Sequence, residues 1–144
     1  VTHLFIPGRP VTLNVERQGN RWARSKATAP VRQAAALMAA RMPPIEGPVE
    51  VISWPTYPDR RSWPDTGGTA PTAKAAIDGL VDAGVILEDG PKVVRRLVFL
   101  APEKGPLGLH VVLRALPSPE GADDPLRAIQ AEVASRPHGP QVVT

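Results

Sequence analysis

Cysteine is absent from the 144 residues, which excludes disulfides and thiolate metal centres and fits a reducing compartment. Histidine is scarce: His3, His110 and His138 lie far apart with no metal-ligand spacing, so zinc chemistry is not expected. No apolar run approaches the ~20 residues that a membrane span needs, and the N-terminus carries no basic segment followed by an apolar one. These absences point to a soluble, cytoplasmic protein with no membrane partner. No internal repeat is visible.

What is present is enough for one domain. An apolar content of 42% supports a single compact core in a chain of this length. The net charge of +3 is unevenly spread. Arg9, Arg17, Arg21, Arg24, Lys26 and Arg32 crowd the front of the chain with Trp22 among them, whereas the last 28 residues are acidic on balance. A basic cluster of this kind attracts polyanions, and phosphate contacts supply most non-specific affinity for nucleic acid. The plainer reading is a solvated surface.

Turn and periodicity signals divide residues 1–116 into a mixed α+β domain, a mixed β-sheet covered by helices. Residues 3–15 read as a strand, a Pro/Gly turn and a second strand or extended arm. Residues 29–42 read as a helix, with Pro30 in its first turn and Val31, Ala34, Ala35, Leu37 and Met38 forming its apolar stripe. Pro43-Pro44 stops it. Residues 49–54 alternate as a strand. A second helix is expected over 71–83, with Thr69 as N-cap and Gly84 in the left-handed position beyond its end. Residues 92–101 and 107–116 read as two strands of an antiparallel hairpin. The remainder, 117–144, is a linker and C-terminal tail, with a helix expected over 125–135 whose apolar face is Leu126, Ile129 and Val133.

The chemistry-bearing residues concentrate between Pro64 and Asp89. Asp65 lies in a Gly-rich loop, Lys74 and Asp78 stand four apart on the second helix, and Glu88-Asp89 occupy the turn after it. Carboxylate oxygens suit Mg2+, and a metal with a nearby ammonium offsets the charge that builds on phosphorus-bound oxygens when a phosphodiester is cut. Each residue has a plainer reading too. Asp65 serves as a loop cap, Asp89-Gly90 as a turn pair, and Lys74 with Asp78 as an exposed ion pair. Asp82 reads as the solvated continuation of that helix face.

The run PDRRSWPDTGGTAPTAKAAIDGLVDAGVILEDG resembles the RusA family of Holliday junction resolvases. The shared parts are Pro58-Asp59-Arg60-Arg61, Asp65, Lys74-Ala75-Ala76-Ile77-Asp78-Gly79-Leu80, Ala83-Gly84 and Glu88-Asp89. The opening PGRPVTLN, ending in Asn14, is similar to the family's Pro-rich start. The resemblance covers roughly residues 5–116 and implies an intertwined homodimer that nicks four-way DNA junctions with Mg2+, or Mn2+, held by aspartates. It implies Asp65, Lys74 and Asp89 as catalytic residues, Asp65, Asp89 and Glu88 as metal ligands, and Asp78 and Glu88 as supporting acids. Asn14, Arg17, Arg21, Arg24, Arg60, Arg61 and Trp63 are the expected DNA contacts.

One departure bears on activity. Where many members carry a second aspartate and an asparagine after the first, this chain has Gly67 and Gly68. Glu88 or Asp78 then has to replace the lost ligand, and the glycines would let a DNA backbone approach closely. The alternative is a protein that binds branched DNA with an impaired nuclease site.

Overall fold

The computed structural model describes residues 2–14, 20–117 and 125–135. Its elements in chain order are β1 (Thr2–Pro7), α1 (Arg21–Ala39), β2 (Val49–Tyr57), a 3-10 turn (Arg60–Ser62), α2 (Ala70–Asp82), β3 (Val94–Phe99), β4 (Glu103–Lys104), β5 (Gly108–Ala115) and α3 (Pro125–Ala134). The architecture is α+β with a mixed, open five-stranded sheet.

The strand order β1-β5-β2-β3 corrects the expected hairpin. β2 lies between the two strands read as hairpin partners, parallel to β3 and antiparallel to β5. β2 is nine residues long and buried over most of its length, so it takes hydrogen-bonding partners on both edges. β1 pairs antiparallel with β5, Leu4 opposite Val111 and Ile6 opposite Leu109. β4 adds a short parallel pairing at the far end of β2. The segment after the first turn is not a second strand: residues 9–12 are irregular, and Leu13 and Asn14 have helical backbone.

α1 begins eight residues before the expected start, and Pro30 lies inside it. Asn20 caps it, its Oδ1 accepting from the N–H of Ala23 at 2.9 Å. The first turns carry no apolar periodicity because Arg21, Trp22, Ala23 and Ser25 are all exposed. The stripe that packs is Val31, Ala34, Ala35 and Ala39, while Leu37 and Met38 remain outside it at 79% and 40% exposed.

The core lies between one sheet face and the two long helices. Leu4, Ile6, Val49, Val51, Leu109 and Val111 meet Ala35, Ala73, Ala76, Ile77 and Leu80 there. Small residues set the distance between α1 and α2. A Cβ on Gly79 would stand 2.4 Å from the Arg32 carbonyl oxygen and 2.7 Å from the Ala35 Cβ, closer than atoms can approach. Across this contact the Arg32 guanidinium grips Asp82 with two hydrogen bonds of 2.6 and 2.8 Å. Asp82 is exposed, as expected, and is also a tie between the two helices.

The opposite sheet face carries His3, Phe5, Ile52, Trp54, His110 and Val112, all exposed or half-buried. The Trp54 ring stacks on His110 at 4.8 Å between centroids, and the two imidazoles share a hydrogen bond of 2.9 Å. Burial, followed by the neighbouring His3, lowers the His110 pKa. At one end of this face Glu50 is buried and paired to Arg96 and Arg114, its cross-strand neighbours on β3 and β5. α3 forms where the tail predicts a helix, with Leu126, Ile129 and Val133 exposed. Among the described residues, no helix is long and apolar enough to cross a membrane.

Candidate functional site

α2 presents its outer face where its inner one is anchored. Ala73, Ala76, Ile77 and Leu80 point into the core, so Lys74 and Asp78, one turn apart, share the outward face. The helix ends as the sequence predicts. Gly84 has φ +76°, its N–H donates to the Val81 oxygen, and the Val85 N–H donates to the Leu80 oxygen, both at 3.0 Å. This paired arrangement is a Schellman cap. Thr69 flanks the start of α2, but its side chain makes no capping bond. Val85 and Ile86 are buried beyond the cap and pin the outgoing chain, and the turn at Gly90 receives the N–H groups of Val93 and Val94. Between these anchors Asp89 folds back onto α2.

The result is a triad of charges. Lys74 Nζ donates to Asp78 Oδ1 at 3.0 Å and also to Asp89 Oδ2. All three side chains are partly exposed. The hydrogen bond from Lys74 is the main reason that the Asp89 carboxyl is held below the usual carboxylate range. For Lys74, burial acts to lower the pKa, but hydrogen bonds to Asp89 and Asp78 together outweigh it and the net shift is upward. Lys74 is thus held as an ammonium and Asp89 as a carboxylate at neutral pH.

Lys74 and Asp78 line a cleft of about 470 Å³ between α1 and α2, lined also by Arg21, Ser25 and Thr28, with Leu13, Ala70 and Pro71 as apolar wall. A second cleft of about 610 Å³ lies beside it, lined by Asn14, Trp63, Asp65, Gly67 and Gly68. Asp65 is exposed there, in the loop ahead of α2. The Arg60 guanidinium sits 5.7 Å from the centre of the Trp63 ring, and Asp59 Oδ1 accepts from the Arg61 N–H at 2.9 Å to start the turn that carries both arginines. Glu88 is exposed, with its carboxylate turned toward Gly90.

Of the site residues expected from the sequence, the structure therefore joins Lys74, Asp78 and Asp89 directly, with Arg21 in the same cleft. It groups Asn14, Trp63 and Asp65 in the neighbouring one. Arg17 lies outside the described residues, as does the side chain of Arg24, which sits in α1. The glycines of the Asp65 loop have an internal role. Gly67 has φ +83°, and a Cβ on Gly68 would stand 2.8 Å from the Asp65 carbonyl oxygen, which accepts the Gly68 N–H at the same distance. Both serve the tight turn leading into α2. Sequence reasoning passes over Leu13, which lines both clefts; nothing local in the sequence distinguishes it from an ordinary apolar residue.

Among the described residues no three carboxylates or histidines gather closely enough to hold a metal by themselves. Mg2+ characteristically takes one or two protein carboxylates and completes its shell with waters and phosphate oxygens. Asp78 and Asp89, whose side chains meet at the Lys74 ammonium, supply the two oxygen-bearing side chains of that lighter demand. Comparison with protein-family models and with characterised proteins returns no match.

Proposed function

We propose that this protein is a Mg2+-dependent endodeoxyribonuclease acting on branched DNA, with the four-way junction as substrate and a homodimer as the working form. The observation that carries the proposal is the convergence of Asp78 and Asp89 on Lys74 at the edge of a cleft that also holds Arg21. Two carboxylates beside two cations are what a phosphodiester and a hard divalent ion jointly require.

In this reading Asp78 and Asp89 would hold the metal, with Asp65, in the loop ahead of α2, and Glu88, in the turn after it, as the further acids nearby. Bound Mg2+ would supply a Lewis acid for the phosphoryl oxygens and a water of lowered pKa. Lys74 donates from Nζ to a non-bridging oxygen, where charge grows most as the water oxygen bonds to phosphorus and the leaving oxygen departs. Arg21 and the arginines of the 3-10 turn hold flanking phosphates and so orient the strand for in-line attack. A twofold dimer suits a junction because that substrate offers two symmetric scissile phosphates.

Cleavage of a labelled synthetic four-way junction against a linear duplex of the same sequence, in Mg2+, Mn2+ or EDTA with a parallel gel shift, tests the reading. Metal-dependent paired nicks confined to the junction are expected, from a protein whose light-scattering mass is that of a dimer. A second reading is favoured by Gly67 and Gly68 standing where further acids would be: a branched-DNA-binding protein with an impaired nuclease site. Junction binding without nicks in either metal would select it.

A further inference from the structure

The two clefts of the site have one lining residue in common, and it is apolar. Leu13 lines the cleft of Lys74 and Arg21 on one side and the cleft of Trp63 and Asp65 on the other. The chain that carries it is firmly attached. The Leu13 N–H donates to the Gly68 oxygen at 2.9 Å. Two residues earlier, Val11 exchanges two hydrogen bonds with the Thr72 hydroxyl, its N–H donating at 2.7 Å and its carbonyl accepting at 2.9 Å. Thr72 is buried in the first turn of α2, so the ridge is anchored to the same helix that carries Lys74.

Each cleft is large enough for a nucleotide: their volumes of about 470 and 610 Å³ fall within the roughly 300–1,000 Å³ of small-ligand sites. Their walls differ in a way that suits successive nucleotides. On one side stands the Trp63 ring, braced by Arg60; aromatic faces of this kind bind unstacked bases of any sequence. On the other, the apolar wall of Ala70, Pro71 and Ala75 lies beneath Arg21 and Lys74, which pairs a surface for a base or sugar with cations for a phosphate. Stacked neighbours in a duplex leave no room for a side chain between them, and a residue shared by the walls of two adjoining clefts, each holding one nucleotide, would demand that the step be opened. Leucine is among the side chains that proteins insert between base steps.

We propose that Leu13 is a wedge that parts two adjacent nucleotides of a DNA strand, one base lying against Trp63 and the next nucleotide lying in the cleft beside Lys74. The ligand of this surface is then an unstacked strand at a branch or fork, where opening a step is least costly, and not a continuous duplex. The proposal rests on the nucleic-acid reading above.

The experiment places 2-aminopurine at successive positions around the branch point of a synthetic four-way junction, in Ca2+ and without cleavage, with a fluorescein label reporting binding by anisotropy. Binding of the intact chain is expected to raise 2-aminopurine emission about threefold at one or two neighbouring positions as the base unstacks. Leu13→Ala should lose that rise while junction affinity falls less than about tenfold, and Leu13→Met, which keeps an apolar wedge, should restore it. Trp63→Ala should change the signal at one of the positions only. Melting temperatures identify any variant that fails to fold, and the Met and Trp63 variants then decide the matter. Anisotropy showing binding with no rise at any position overturns the wedge and leaves the nuclease reading standing, as does a rise that survives in folded Leu13→Ala. No binding to branched DNA overturns both.

Discussion

Lys74 and Asp89 are joined by an ion pair across 15 residues of chain, which includes the rest of α2, its glycine cap and the buried Val85-Ile86 anchor. The same ammonium holds Asp78 one turn along the helix. A surface pair of this type contributes little to stability, on the order of 0–1 kcal/mol. The arrangement is therefore better explained by what it positions than by what it stabilises.

Charge removal at this pair should separate cleavage from binding. If the proposed function holds, Asp89→Asn takes away one of the two proposed metal ligands and a charge that repels phosphate, so nicking of a four-way junction should fall at least ~100-fold while affinity is kept or rises. Lys74→Ala should reduce the single-turnover rate by roughly 10²–10³ and weaken binding much less. Equal losses in rate and affinity for Lys74→Ala would make it a DNA-positioning residue, and unchanged nicking by Asp89→Asn would remove Asp89 from the site.

Gly79→Ala should destabilise the fold without touching the charged face. The added methyl has to push the Arg32 carbonyl and Ala35 away, and overpacking of this kind costs about 1–3 kcal/mol. The urea midpoint is the measurement. An unchanged midpoint would mean that α1 and α2 separate freely, contrary to the close packing described.

Acid should weaken the protein in a way traceable to two residues. The hydrogen bond from Arg32 holds the Asp82 carboxyl below the usual range, and that from Lys74 does the same for Asp89. Both groups bind protons more weakly when folded, so the unfolded chain takes up protons first as pH falls. Their contribution is complete above the unfolded carboxylate pKa of about 3.9 and is lost as pH drops through the lower folded values. Urea midpoints from pH 7 to pH 3 should decline, and Asp82→Asn, less stable at neutral pH, should show a flatter profile. A parallel profile would mean that the Arg32 pair does not contribute to the acid dependence.

Glu50→Ala should lower stability by about 1–3 kcal/mol, the range for leaving buried polar groups without their partner. Glu50 is 4% exposed and lies between Arg96 and Arg114, and its removal leaves two arginines facing each other across β2. Arg114→Ala, at the more exposed partner, should cost less. Calorimetric melting of both variants checks the order.

Features that depend on neighbours in the chain are legible in the amino-acid sequence. The Gly84 cap, the Pro43-Pro44 stop, the Lys74 and Asp78 pair and the helix in the tail are each set within a few residues by backbone conformation or by helical spacing, and each is found. The start of α1 is not legible, because its exposed first turns carry no apolar stripe and Pro30 imitates a helix start. Strand order is hidden as well: two adjacent strands with a short link favour a hairpin, whereas buried β2 needs partners on both edges. Lys74, Asp78 and Asp89 are likewise candidates that the sequence names, but their grouping belongs to the fold. That Asp89 returns to Lys74, that Asp82 meets Arg32 and that Leu13 lines two clefts all depend on contacts between residues far apart in the chain. Composition and spacing settle which side chains are available and which local turns they favour. Only close packing of the helices on the sheet decides which of them meet, because burial of one face of each element leaves the other face a single way to point.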